Sequence, residues 1–87
     1  MFINFGNKEA LYALTAVRDL RKNGISAELY PDSAKMKKQM NYANKREIPF
    51  VVLAGAEEIA NSLFGLKNMK TGEQQKLSFE ELLKILK

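Results

Sequence analysis

Short apolar runs alternate with amphipathic stretches along the first half of the chain. Residues 2–5 and 26–30 have the length and pattern of short strands, and residues 50–54 are apolar throughout, as expected of a strand buried on both faces. Between these runs, residues 8–23 and 34–46 repeat apolar side chains at helical spacing. This alternation of strands and helices predicts an α/β fold with a parallel or mixed sheet.

Signals at the ends of the first two helices support these assignments. Asn7 is a predicted N-cap, because its side chain can accept a hydrogen bond from an unpaired backbone N–H in the first turn. Gly24 follows the first of these helices at the position where many helices end in a residue of left-handed conformation. Pro49 prevents the second helix from extending into the strand behind it.

The second half of the chain has a different pattern. Residues 56–61 are long enough only for a short helix, and residues 63–69 and 73–77 have the pattern of two strands joined by a tight turn. Gly72 lies where that turn needs a positive φ, so the two strands are predicted to be antiparallel. A capping box that begins at Ser78 predicts the start of a final helix.

The predicted connections define a three-layer α/β/α sandwich. Right-handed crossovers place the first two helices on opposite faces of a mixed five-stranded sheet of order 2-1-3-4-5, with strand 4 antiparallel. In such sheets ligands bind at the carboxyl ends of the strands near the switch point, here residues 5–7, 30–32 and 54–56. A binding site is therefore expected at these segments.

Composition narrows the chemistry. The 87 residues, 46% hydrophobic and 28% charged, are enough for one domain, residues 1–87. Cys and His are both absent, so we expect no catalytic residues and no metal site in this chain. The sequence also lacks a signal peptide and a long apolar run, which makes the cytoplasm the expected compartment.

The net charge of +4 comes from one stretch of the chain. Five basic residues and no acidic ones lie between Lys35 and Arg46. On a helix Lys38, Tyr42 and Lys45 share one side, so a phenol lies between two ammonium groups, an arrangement that suits RNA phosphates and a stacked base. The alternative is that these lysines solvate the outer side of a helix whose other side is buried.

A second candidate site has two equally open interpretations. Gly65 and Lys67 share one face of the predicted strand 4, where a base could approach the backbone. Lys67 could equally be an edge-strand lysine that prevents aggregation. The neighbouring Glu57 and Glu58 have the pattern of a solvated carboxylate pair at a helix N-terminus.

Two long runs resemble a known family. Pro-Phe-Val-Val-Leu-Ala-Gly-Ala-Glu-Glu-Ile at residues 49–59 and Leu-Lys-Asn-Met-Lys-Thr-Gly-Glu-Gln-Gln at residues 66–75 resemble the C-terminal anticodon-binding domain of histidyl-tRNA synthetases. Residues 37–45 are similar to the family's second helix. The strand ending in Gly-x-x-Glu is shared with the threonyl-, prolyl- and glycyl-tRNA synthetases, so the resemblance implies an anticodon-binding domain-like fold.

The resemblance also implies roles for individual residues. Matched by motif, Glu58 and Lys67 correspond to base-contacting positions, and Asn7, Tyr30 and Ser33 lie in segments that resemble the other walls of the anticodon site. A carboxylate accepts hydrogen bonds from amino groups of bases, and an ammonium group donates to their carbonyls. With this site in place, Lys38, Tyr42 and Lys45 are expected to hold the tRNA backbone.

The resemblance implies recognition rather than catalysis. The expected partners are the anticodon stem-loop of histidine tRNA and the catalytic domain of a parent synthetase, itself expected to be a homodimer that binds no membrane. This domain needs no cofactor, whereas the parent's catalytic core uses ATP and Mg²⁺. The chain is then a piece from the C-terminus of a longer ligase, and the alternative is a regulatory or protein-interaction module on the same scaffold.

Overall fold

The computed structural model describes residues 1–86 and shows a mixed α/β domain. Four helices and three strands lie within these residues. In chain order they are α1 (Asn7–Lys22), α2 (Met36–Lys45), β1 (Phe50–Leu53), α3 (Ala56–Ala60), β2 (Phe64–Asn68), β3 (Gln74–Leu77) and α4 (Phe79–Leu86).

The three strands form one antiparallel sheet of order β1-β2-β3. Val51 pairs with Lys67, and Lys67 pairs with Gln74, so the reversed direction predicted for the fourth strand is confirmed. The prediction of a five-stranded sheet is wrong, because the sheet of the described residues has three strands. In place of the first two strands, Phe2 makes isolated parallel bridges to Leu29 on one side and to Val52 on the other.

The N-terminal segment leaves the ladder after one bridge because a side chain takes over its hydrogen bonds. The Ile3 N–H still donates to the Val52 carbonyl at 2.9 Å. The next N–H, that of Asn4, donates instead to Oε1 of Gln39 at 2.8 Å, and Gln39 Nε2 donates back to the Asn4 carbonyl at 2.9 Å. An amide side chain from α2 therefore occupies the place where a strand partner would continue.

Helices cover the two faces of the sheet unequally. On the first face, residues of α1 and α4 pack around Phe2, Val52 and Leu66 in the larger core cluster. On the second face, the smaller cluster consists of Ile3, Ala43 of α2 and Val51. The prediction that the first two helices cover opposite faces is confirmed, and α2 covers the second face only beside β1.

The first three helices end in the same way. In each case a residue with positive φ follows the helix, and the next backbone N–H donates to a carbonyl five residues back, which satisfies an orphan carbonyl of the last turn. The positive-φ residues are Gly24 (φ 79°), Glu47 (φ 54°) and Ser62 (φ 54°). Only the glycine of this set was predicted.

Local signals in the second half of the chain were read correctly. Gly72 has φ 79° in the turn between β2 and β3. The capping box is present, because the Ser78 N–H donates to Glu81 Oε1 at 3.0 Å and the Glu81 N–H donates to Ser78 Oγ at 3.3 Å. Leu77 and Leu82 are buried in the same cluster on either side of this cap.

Some helix details differ from the prediction. Gly6, not Asn7, caps α1, and Asn7 is the first helical residue. Leu14 of α1 and Ile85 of α4 are 48% and 43% exposed, so the buried side of each helix is narrower than its apolar pattern. Among residues 1–86, no helix combines the length and apolar character that a bilayer span requires.

Candidate nucleic-acid interface

An open cleft of about 480 Å³ lies along the exposed side of α2. The three backbone-contact candidates, Lys38, Tyr42 and Lys45, all line it, so the predicted helical spacing does bring them together. The remaining lining residues are Tyr30, Lys35, Lys37 and Asn41. Four of these seven side chains are lysines, and the cleft therefore has the positive charge that attracts phosphate groups.

Tyr42 already has two partners within the domain. Its ring lies edge-on to that of Tyr30, with 5.3 Å between the centroids. The Arg46 guanidinium lies over the Tyr42 ring, 5.6 Å from the centroid, in a cation–π contact. These contacts favour packing at the helix edge as the role of Tyr42, the less specific of the two interpretations that the sequence left open.

Tyr30 lies beneath the cleft. It is only 9% exposed, and its backbone carbonyl accepts a hydrogen bond from Asn4 Nδ2 at 3.0 Å. Asn7 and Ser33 are exposed, at the start of α1 and in the loop before α2. Of the three predicted wall residues, two are therefore open to a ligand, and Tyr30 supports Tyr42 from within.

Gln39 anchors the cleft to the rest of the domain. It is 1% exposed, and its Nε2 donates both to the Asn4 carbonyl at 2.9 Å and to the Ala34 carbonyl at 2.7 Å. Among the described residues, no buried side-chain nitrogen or oxygen lacks a hydrogen-bond partner, so this buried amide is fully satisfied. Sequence reasoning missed Gln39, and the only available signal was a polar residue between Met36 and Met40 on the inner side of the helix.

The second face of the sheet carries polar side chains on β2 and β3. Because directly paired residues share a face, Gly65 and Lys67 on β2 lie on the same face as Lys76 and Gln74 on β3. Lys67 is also paired with Val51, which is buried beneath α2, so this lysine lies at the border between the covered and uncovered parts of the face.

Gly65 has a packing reason to be glycine. A Cβ at this position would lie 3.1 Å from the backbone oxygen of Leu53 on the neighbouring strand, closer than ordinary contact. The glycine is thus explained without a ligand. It nevertheless leaves a flat area of backbone beside Lys67.

Glu57 and Glu58 do not behave as an equivalent pair. Glu57 is exposed and accepts a hydrogen bond from Lys76 Nζ at 2.9 Å across 19 residues of sequence. Glu58 is partly buried and accepts a hydrogen bond from the Gly55 N–H at 3.3 Å, which caps the N-terminus of α3. Both carboxylates lie in the first turn of α3, as predicted, but only Glu57 is exposed, and each has a hydrogen-bond partner within the domain.

The carboxylates of α3 interact electrostatically with Lys76 of β3. The hydrogen bond from Lys76 lowers the pKa of Glu57, and the same bond raises the pKa of Lys76. The charge of Glu58 also raises the pKa of Lys76, so both carboxylates act on one ammonium group. Lys76 is a diagonal cross-strand neighbour of Lys67, so the ion pair of Lys76 with Glu57 lies beside Lys67 on the second face, and Glu58 and Lys67 are each partly exposed.

Lys76 is the second residue that sequence reasoning missed. The signal was present, because Gln74 and Lys76 alternate with Gln75 and Leu77 on the last strand. Within residues 1–86, no group of three or more acidic side chains is placed to hold a metal ion. The surface offers ammonium donors and carboxylate acceptors on the second face and a lysine-lined cleft along α2, and clustered lysines are typical of nucleic-acid-binding domains.

The comparison with known families identifies the class. The family model described as "Anticodon binding domain" matches residues 1–87, and the chain belongs to that family. The family resemblance expected from residues 49–59 and 66–75 is thereby confirmed.

The curated relatives include histidine–tRNA ligases. The chain is 64% identical over 87 residues to the histidine–tRNA ligase of Christiangramia forsetii and 54% identical over 86 residues to that of Flavobacterium johnsoniae. It is covered over 100% and 99% of its length, but spans only 19% and 18% of those two ligases. The similarity thus concerns one domain of a much longer protein.

Solved structures show the same fold. Histidyl-tRNA synthetase from Nostoc has a TM-score of 0.90 at 26% identity, covering 97% of this chain and 20% of the synthetase. The Staphylococcus aureus enzyme has a TM-score of 0.83 at 31% identity, covering 98% and 22%. The RNA-binding domain of threonyl-tRNA synthetase from Cryptosporidium parvum has a TM-score of 0.90 at 17% identity, covering 98% and 22%, and shows the fold alone.

Proposed function

We propose that this chain recognises the anticodon loop of histidine tRNA as a domain of a histidine–tRNA ligase. The observations that carry the proposal are the cleft along α2, which four lysines line, and the second face of β2 and β3, which carries Lys67 and Lys76. The 64% identity to a histidine–tRNA ligase supports histidine as the amino acid.

The parent enzyme supplies the chemistry. Its catalytic core lies in the part of the ligase beyond this domain and uses ATP and Mg²⁺ to activate histidine and transfer it to tRNA. The parent acts as a homodimer in the cytoplasm. The present domain contributes by positioning the tRNA, so the free energy of tRNA binding increases the ligation rate of that core.

Base reading is assigned to the sheet. RNA sequence is read mainly in unpaired loops, whose bases can be splayed and hydrogen-bonded on their edges. The Glu58 carboxylate accepts from base amino groups, and the Lys67 ammonium group donates to base carbonyls. Asn7 and Ser33 form the adjoining walls, and Tyr30 contributes indirectly by supporting Tyr42.

Backbone binding is assigned to the cleft. Lys38 and Lys45 bind phosphates, which sets the register of the RNA without reading its sequence. Tyr42 lies between them and holds its ring against Tyr30 and Arg46, so it shapes the cleft for a ribose–phosphate chain.

The experiment titrates the chain with the anticodon stem-loop of a histidine tRNA and with the same stem-loop carrying a changed anticodon. Tighter binding of the first RNA is expected for the unmodified chain. Glu58→Ala and Lys67→Ala should lose this discrimination. Equal affinity for the two RNAs in the unmodified chain would contradict sequence reading and favour the regulatory or protein-interaction module.

A second titration, over a range of salt, tests the cleft. Lys38→Ala should weaken both RNAs alike and lower the slope of log affinity against log salt by about 0.7 to 0.9, the value for one lost phosphate contact. Lys84→Ala, which removes an exposed lysine of α4 behind the first face, is the matched control and should leave the slope unchanged. An unchanged slope in Lys38→Ala would remove its phosphate role.

A further inference from the structure

The ion pair between Glu57 and Lys76 lies on the uncovered half of the second face. Lys76 is paired with Gly65 across the strands, and Lys67 is its diagonal neighbour. The side chains of Lys76 and Glu57 are 51% and 73% exposed. The pair is therefore accessible from solvent and adjoins the residues proposed to read bases.

The pair adds little to the stability of the fold. Solvent-exposed ion pairs contribute weakly because water and salt screen them and because ordering two long side chains costs entropy. The bond nevertheless joins α3 to the edge strand across 19 residues of sequence, at 2.9 Å between Lys76 Nζ and Glu57 Oε1. Its geometric result is a donor and an acceptor held side by side at the surface.

Both partners keep unused hydrogen-bonding capacity. An ammonium group has three N–H donors and a carboxylate about four acceptor positions, and the pair uses one of each. Gly65, directly opposite Lys76, contributes no side chain, so the strand surface next to the pair is flat. A planar group can thus approach the pair along the sheet.

The local charge favours a base over a phosphate. The Glu57 carboxylate lies 2.9 Å from the Lys76 ammonium group and neutralises it, so the pair attracts an anion only weakly. Guanine matches the arrangement, because its N1–H and N2–H groups lie side by side for a carboxylate and its O6 accepts from an ammonium group.

We propose that Glu57 and Lys76 form a second base-reading pair, beside Glu58 and Lys67, which binds the Watson–Crick edge of one unpaired guanine in the RNA loop. This inference rests on the proposed function and deepens it. It adds Lys76 and Glu57 to the residues that contact the ligand, and it specifies the base that they select.

The test uses the anticodon stem-loop of a histidine tRNA and versions in which each loop guanine is replaced in turn by inosine, which lacks the N2 amino group. In the unmodified chain, one inosine substitution should weaken binding about 5-fold or more. Glu57→Gln and Lys76→Met should each weaken binding of the guanine RNA by a similar factor, and Glu57→Gln, which removes the carboxylate that accepts from the N2 amino group, should abolish the inosine effect at that position. Lys84→Met is the matched control and should retain both.

A charge-exchanged double variant, Glu57→Lys with Lys76→Glu, separates recognition from structure. It keeps the ion pair but exchanges donor and acceptor, so binding of the guanine RNA should stay weak while the urea midpoint is unchanged. If the exchanged pair restores tight binding, the pair is only structural and the inference is wrong.

The two proposals fail in different ways. If the unmodified chain does not distinguish the histidine anticodon from a changed one, the proposed function fails and this inference fails with it. If the chain does distinguish them, but no inosine substitution responds to the state of Glu57 and Lys76, only this inference is overturned.

Discussion

The two faces of the sheet differ in packing and polarity, and strand β2 contributes side chains to both. On the first face, Leu66 is 2% exposed and packs among residues of α1 and α4. On the second face, the next residue, Lys67, is half-buried at the border of α2. Because side chains alternate along a strand, one segment places a leucine in the core on the first face and a lysine proposed to contact RNA on the second. Stability and recognition should therefore respond separately to neighbouring substitutions.

The largest expected difference is between Leu66→Ala and Lys67→Ala. Removing a buried leucine side chain leaves a cavity and should lower the free energy of unfolding by about 2 to 5 kcal/mol. Removing Lys67 should change the unfolding free energy by less than about 0.5 kcal/mol, as for surface substitutions generally. Urea denaturation measures both, and similar losses in the two variants would contradict the division between faces.

The next effect concerns the buried amide that holds α2 on the second face. Gln39→Leu retains the volume but leaves the Asn4 N–H and the carbonyls of Asn4 and Ala34 without their partner. The free energy of unfolding should fall by about 1 to 3 kcal/mol. Gln75→Leu, at an exposed position of β3, is the control and should have little effect. Equal behaviour of the two variants would show that the Asn4–Gln39 pairing does not hold the helix.

A smaller gain is expected at the end of α3. Ser62 has φ 54°, a conformation in which a side chain is strained. Ser62→Gly should raise the free energy of unfolding by about 0.5 to 1 kcal/mol. Gly24→Ala is the reciprocal control, because a Cβ there meets nothing within 4 Å and only the backbone strain at φ 79° is added. The two variants should change the free energy of unfolding in opposite directions. A lower free energy of unfolding in Ser62→Gly would show that the backbone of Ser62 is not strained.

The smallest effect is the pH dependence of the exposed ion pair. Because Lys76 lowers the pKa of Glu57 in the folded state, the pair's contribution to stability is complete above the usual glutamate pKa and is lost as pH falls through the lowered value. Stability should therefore fall slightly more in the unmodified chain than in Glu57→Gln on acidification. Urea midpoints measured across acidic pH test this, with Glu73→Gln, in the β2–β3 turn, as the control. Identical pH profiles for the unmodified chain and Glu57→Gln would contradict the pairing.

Local patterns predicted much of this molecule. The positive φ of Gly24 and Gly72, the capping box between Ser78 and Glu81, and the common side of Lys38 and Lys45 were all correct. Each of these features depends on residues within a few positions of each other, where helical and strand periods and turn conformations apply. The long runs at residues 49–59 and 66–75 carried the family assignment as well.

Other features depend on contacts between distant segments, which only the tertiary structure decides. The first predicted strand was reduced to a bridge because Gln39, 35 residues away, binds Asn4. The candidate site gained Lys76 because a strand pairing and a hydrogen bond across 19 residues bring it to Glu57. The sequence alone determined the periodic elements and the class of domain, since those follow from neighbouring residues. Packing determined the extent of the sheet and the partners of its polar side chains, because contacts between residues distant in sequence produce no periodic pattern along the chain.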